Sequence, residues 1–168
     1  MVRKVAGYRR YGRGLTIVEL LTLVVLVAIL AAFAIPGMSP VILRHRLRGA
    51  AWQLTGDLRL ARQRAVTVRK RFRVCVANCA ISVPAGSYSI ERDDGSGTPS
   101  WLSETGAPVR LPPDVTVCST ATPTFSANGM SNGSTFTLRN IVGTYQVTVA
   151  STGRVQVCEG TCSNVCSP

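Results

Sequence analysis

The chain has 168 residues, 46% of them hydrophobic and 16% charged, and 19 Lys and Arg against 8 Asp and Glu give a formal charge of +11. This composition excludes a disordered chain, and the length excludes a barrel of eight strand–helix units or a two-domain dinucleotide enzyme, leaving one domain with an appendage. The charge is zoned: residues 1–14 hold Arg3, Lys4, Arg9, Arg10 and Arg13 with no acid, residues 44–73 hold nine Arg and Lys70 against Asp57, and after Arg73 four Arg face six acids.

Between the basic zones, Leu15 to Ile35 is apolar except for Thr16, Glu19 and Thr22. As a helix this stretch would rise about 31 Å, which matches the roughly 30 Å hydrocarbon core of a bilayer. It therefore reads as a transmembrane segment, with the upstream positive charges placing the N-terminus in the cytoplasm and the rest of the chain outside it. A cleaved secretory signal is the competing reading, and Ala32-Phe33-Ala34 offers it a small-x-small site. The length of the run and the acid at Glu19 argue against that, because an ionisable group in lipid costs several kcal/mol unless partnered.

Arg13-Gly14-Leu15-Thr16-Ile17-Val18-Glu19-Leu20-Leu21, followed by the apolar run and Pro36, resembles the class III signal of type IV prepilins and type II secretion pseudopilins. The resemblance implies a leader at 1–14, cleavage by a prepilin peptidase between Gly14 and Leu15, methylation of the new Leu15 amine, and an apolar helix at 15–36 that serves as membrane anchor and then filament core. Leu15 departs from the Phe that most members carry but keeps a bulky apolar side chain. Glu19 would neutralise the Leu15 amine on a neighbouring subunit, taking both charges out of an apolar core together and fixing the axial register. Pro36 lacks an N–H and is expected to kink the helix.

Beyond Pro36 the helix resumes over 37–71: Leu43, Leu47, Ala51, Leu54, Leu58, Ala61, Ala65 and Val68 recur at steps of three and four and draw one apolar stripe. Residues 72–168 then supply the covering sheet. Phe72–Val76, Tyr88–Glu91, Val115–Cys118, Thr135–Leu138, Tyr145–Val149 and Val155–Cys158 read as strands, punctuated by Asp94-Gly95, Asn128-Gly129, Asn132-Gly133 and Thr152-Gly153. The fold class is α+β: one long N-terminal helix, half transmembrane and half amphipathic, packed on an antiparallel sheet.

Cys75, Cys79, Cys118, Cys158, Cys162 and Cys166 all follow the apolar segment, and an even number in an oxidising compartment suits disulfides. Zinc competes, but the local spacing is Cys-x-x-x-Cys and His45 is the sole histidine. The 75–79 interval is short enough to close a hairpin, and 158, 162 and 166 would staple the tail; the pairing stays open. Asp93-Asp94-Gly95 lacks the alternating ligands of a calcium loop and reads as a turn. No nucleophile elbow, phosphate loop or paired carboxylates are present, so no enzyme activity, metal or cofactor is expected.

Leu58-Arg-Leu-Ala-Arg-Gln-Arg-Ala65, Phe125-Ser-Ala-Asn-Gly129, Thr135-Phe-Thr-Leu138 and Tyr145-Gln-Val-Thr-Val-Ala-Ser-Thr-Gly-Arg-Val155 are similar, in that order, to the GspH/FimT class of minor pseudopilins and minor pilins. This implies a pilin-like fold and a structural subunit acting near a filament tip. It also implies, as partners, other minor and major pilins or pseudopilins, the peptidase, the inner-membrane assembly machinery and the lipid bilayer. The location implied is the bacterial inner membrane, single-pass, with a periplasmic head, and later the filament. Type IV pilus and type II secretion are not separated by these residues, with a slight lean to the pilus from the basic, cysteine-rich tail. Some FimT-like members are held to capture DNA in transformation. Candidate contacts here are Arg69, Lys70, Arg71 and Arg73 at the helix–head junction, and Arg154. Gln156 stands where DNA-binding relatives carry a second Arg.

Overall fold

The computed structural model describes residues 16–34, 39–96 and 100–160, with side chains in the first stretch described as far as residue 31. The chain divides into two units, the first ending at Ser39 and the second starting at Pro40.

In the first unit, Thr16 caps helix α1 (Ile17–Ala34). Its hydroxyl accepts a hydrogen bond from the Glu19 amide at 3.2 Å, the first half of a capping box, and Glu19 complements the positive end of the helix from the first turn. The 18 residues of α1 span about 27 Å at 1.5 Å each, less than the roughly 30 Å of a bilayer core. Among the described residues no helix is long and apolar enough to cross a membrane. Two expectations are corrected by this: the transmembrane half of the long helix, and the single-pass inner-membrane placement with a periplasmic head. The helix begins only at Ile17, behind the Thr16 cap, and carries the charged Glu19 in its first turn. Residues 35–38 lie outside the described residues, and the expected kink at Pro36 falls among them.

Helix α2 (Ser39–Val68) belongs to the second unit from Pro40 on; Pro40 occupies its first turn, where the missing N–H removes no helical bond. Leu47, Ala50, Ala51, Leu54, Thr55, Leu58, Ala61 and Ala65 are buried, so the stripe read from the sequence is widened by Ala50 and Thr55. The Thr55 hydroxyl donates to the Ala51 carbonyl at 2.7 Å, which satisfies the one polar group in the stripe. Its ends differ from expectation: Leu43 is half-buried and Val68 exposed. Arg69, at φ 55°, takes the left-handed position that terminates the helix, so α2 stops at Val68 and not at residue 71.

The strands are β1 (Phe72–Cys75), β2 (Ser87–Asp93), β3 (Trp101–Ser103), β4 (Val109–Arg110), β5 (Thr116–Ser119), β6 (Thr124–Phe125), β7 (Ser134–Asn140), β8 (Gly143–Val149) and β9 (Val155–Glu159). They form two antiparallel sheets where the sequence suggested one. The first runs β3-β2-β1-β6 with β4 also on β2, and the second β5-β7-β8-β9. Phe72, Val74, Tyr88, Ile90 and Phe125 from the first sheet and Phe136, Leu138, Val147, Val149 and Val155 from the second join the α2 stripe in one cluster. One helix thus supplies the apolar face that both sheets cover, and each fully buried large side chain contributes about 1.5–3 kcal/mol. The Asn140 amide donates to the Leu43 carbonyl at 2.9 Å and ties the β7–β8 turn to the start of α2.

Candidate functional site

Two turns of identical construction face each other across the head. In one, the Ser126 amide donates to Met130 O at 2.9 Å and the Gly129 amide to Ser126 O at 2.8 Å; in the other, Ala150 donates to Arg154 O at 2.9 Å and Gly153 to Ala150 O at 2.8 Å. Each ends on a left-handed glycine, both at φ 78°, the geometry of a three-residue hairpin loop with a glycine bulge. A bond from the Ser131 amide to Ser151 O, 2.9 Å, joins them.

Arg62 of α2 fastens both turns to the helix. Its Nε donates to Gly129 O at 3.0 Å and its Nη2 to Thr152 O at 3.2 Å. A Cβ on Gly153 would lie 2.1 Å from Gly129 O and 2.7 Å from Arg62 Nε, so glycine is required there for space as well as for conformation. Three of the segments singled out in the sequence, 58–65, 125–129 and 145–155, therefore meet at one guanidinium. Sequence reasoning did not find this hub. The available signal was an arginine flanking the apolar stripe, adjacent to buried Ala61 and four residues after Leu58.

Beside the clamp, α2 and the β8–β9 hairpin line a groove of about 960 Å³ whose cations are Arg59, Arg62 and Arg154, with no carboxylate among the described residues that line it. With the Gln156 amide oxygen turned toward it, Arg154 donates from Nε and Nη2 at 3.2 Å each. Gln156 thus braces Arg154.

The basic cluster after α2 is arranged differently. Lys70 Nζ donates to Asp94 O at 2.9 Å. Arg71 pairs with Asp93 at 2.6 Å, and Arg73 with the fully buried Glu91 at 2.6 Å. Both guanidiniums lie over the Trp101 ring, 5.9 and 4.3 Å from its centroid. Arg69 is exposed at the helix end. The structure therefore commits Lys70, Arg71 and Arg73 to the head's own acceptors and separates their role from that of Arg154, which it places with Arg59 and Arg62. The α2 arginines Arg46 and Arg64 are likewise paired, with Asp114 and Glu104, both at 3.3 Å.

Cys75 and Cys79 form a disulfide, and Cys118 in β5 is disulfide-bonded as well. Cys158 is half-buried in β9. Gly14, Leu15, Cys162 and Cys166 lie outside the described residues. Ligand atoms of Cys75, Cys79 and Glu91 come within 4.8 Å of one another, but both sulfurs are used by the disulfide. The Glu91 oxygens are taken by Arg73 and by the Ala80 amide at 2.6 Å, so this donor set does not fit a metal. Asp93 and Asp94 accept the Gly95 and Ser96 amides at 3.1 and 2.7 Å, as turn residues do. The bond from the Ser96 amide holds the Asp94 carboxyl below its ordinary range. In the core, the Tyr88 hydroxyl donates to Asp57 at 2.5 Å, and burial, then Asp57, push its pKa well above the usual phenol value.

Comparison with known proteins gives the same architecture. The solved type IV minor pilin FimU of Pseudomonas aeruginosa aligns with a TM-score of 0.51 at 21% identity over 68% of this chain and 89% of its own. The minor pseudopilin EpsH from the type II secretion system of Vibrio cholerae aligns at 0.56 and 11% over 73% and 99%, and Escherichia coli GspH at 0.55 and 10% over 76% and 95%. At these identities the likeness establishes the fold. No curated protein matches the chain in sequence. The family model described as type II transport protein GspH matches residues 50–153, the span that holds Arg62, the two left-handed glycines at 129 and 153 and every strand except β9. The chain belongs to the GspH family of pilin-like proteins, and it is a structural, non-catalytic member.

Proposed function

We propose that this protein is a minor subunit that assembles with other minor and major pilins or pseudopilins, in the complex that starts a type IV pilus or a type II secretion pseudopilus at its tip. The observation that carries the reading is the family match over residues 50–153. A second supports it: α1 displays its apolar side chains, with Ile17 83%, Leu21 61% and Leu30 67% exposed, and a surface of that kind requires partners. In this reading residues 1–14 are a leader cut from Leu15 after Gly14 by a prepilin peptidase, the Leu15 amine is methylated, and Glu19 neutralises it on a neighbouring subunit. The cysteine-rich tail inclines the choice of machine toward the pilus, with pseudopilus assembly for protein export as the alternative.

Replacing Gly14 with a bulky residue tests the shared claim. An uncut precursor absent from sheared filament fractions is expected, and normal processing would overturn the reading. Cross-linking to the other minor subunits checks the tip role. DNA capture through Arg69, Lys70, Arg71, Arg73 and Arg154 gains less from the geometry, because three of the five already hold partners within the head. Salt-sensitive DNA retention that is lost on Arg154→Ala would favour it.

A further inference from the structure

Among the described residues the outer strand of the second sheet has one side without a partner strand. Among the described residues β9 pairs with β8 alone. The bonds from Ala150 N–H to Arg154 O and from Gly160 N–H to Thr144 O set the phase of this ladder. Gln156 therefore bonds toward β8, while the N–H and C=O groups of Val155, Val157 and Glu159 point the other way. Such a row of backbone groups is a template for another strand, and proteins commonly blunt it with Lys, Pro or a bulge. The strand Val-Gln-Val-Cys-Glu contains neither Lys nor Pro.

The groove along this edge is basic. Arg46, Arg64, Arg71 and Arg73 each have a carboxylate within the head, whereas among the described residues Arg59, Arg62 and Arg154 have none, and no acid lines the space they face. Two nitrogens of Arg62 are committed to turn carbonyls and two of Arg154 to the Gln156 amide oxygen, so the charge available to a ligand comes from Arg59 and from the remaining guanidinium nitrogen of Arg154. Alternate residues of an added strand share one face about 7 Å apart, so a segment with acids at every second position can present them to this rim while its backbone pairs with the edge.

We infer that the groove is a docking site for an extended acidic segment of another protein chain, which adds as a fifth strand beside β9 and sets its carboxylates against Arg59 and Arg154. Nucleic acid fits less well. No aromatic side chain is among the described residues that line the groove, where it could stack a base, and so few available cations neutralise few phosphates. Nothing in this depends on the filament role proposed above.

The full-length chain, kept in solution with a non-ionic detergent, is titrated by fluorescence anisotropy with a labelled peptide of alternating Glu and Val, a matching Lys–Val peptide and a single-stranded oligonucleotide. Binding of the Glu–Val peptide but not the Lys–Val peptide is expected. Val157→Pro removes one outward N–H without breaking a bond to β8, on an edge strand where proline is tolerated, and is expected to weaken binding about tenfold. Arg59→Glu combined with Arg154→Glu is expected to reverse the preference in favour of the Lys–Val peptide. That reversal requires a folded groove, so it remains decisive if the proline variant is unstable. Failure of the Glu–Val peptide to bind at low salt, or binding indifferent to the charge reversal, would overturn the proposal. Tighter oligonucleotide binding unaffected by Val157→Pro would replace it with a nucleic-acid site.

Discussion

Gly153→Ala should be far more damaging than a surface glycine substitution. The new Cβ would sit 2.1 Å from Gly129 O and 2.7 Å from Arg62 Nε, and since the first of these atoms is backbone, the two turns must separate. An alanine at φ 78° costs about 1–2 kcal/mol in conformation alone. Moving the turns apart breaks the Arg62 bonds to Gly129 O and Thr152 O. Bonds from a charged donor are worth about 1.5–3 kcal/mol, and the exposed Thr152 bond belongs at or below the lower end. A total near 3–5 kcal/mol follows, which shifts a urea midpoint by about 2 M for a slope of about 2 kcal/mol/M. Gly106 is the control: it has φ 68° and nothing within 4 Å of a built Cβ, so Gly106→Ala should cost only about 1–2 kcal/mol. Because the damage runs through Arg62, Arg62→Ala should be strongly non-additive with Gly153→Ala. Equal midpoints for the two glycine variants, or simple addition with Arg62→Ala, would refute the clamp.

Arg73→Ala leaves the fully buried Glu91 carboxylate without its cation and is expected to destabilise by about 3–5 kcal/mol in the same assay; Arg73→Ala combined with Glu91→Gln should recover part of that loss. Replacing Cys75 and Cys79 with Ser opens a short loop whose closure is worth about 2 kcal/mol in the chain-entropy account, and an unchanged midpoint would show that the loop is held by the Ala80–Glu91 bond alone. Tyr88 has a pKa raised above the ordinary 10.0, so its contribution is fully present below about pH 10 and is lost as pH climbs toward the folded-state value, because the unfolded phenol ionises first. Stability measured against alkaline pH should therefore fall less steeply in Tyr88→Phe, at the cost of about 1–3 kcal/mol at neutral pH from the unpartnered Asp57.

The sequence by itself determined what depends on neighbours along the chain. Leu47, Ala51, Leu54, Leu58, Ala61 and Ala65 form the buried stripe because helical periodicity is a local property. The left-handed glycines at 95, 129, 133 and 153 were legible because few other residues take that conformation freely, and the long strands because alternation needs only a few residues to declare itself. Apolarity also showed where α1 would lie, but not that its helix would start at Ile17 behind a threonine cap.

Only the tertiary structure decided the rest. β3, β4 and β6, of two or three residues each, are too short to carry a period and exist because a partner strand is adjacent. The basic run at 69–73 looked available because its acceptors, Asp94, Asp93 and Glu91, lie about twenty residues onward and are brought opposite by the β1–β2 register. Arg62 reads as one solvated arginine among many until two turns, 67 and 90 residues away in sequence, close on it. Charge and hydropathy can be summed along a chain, but whether a guanidinium is spent inside the fold or left facing a groove depends on contacts that only folding creates.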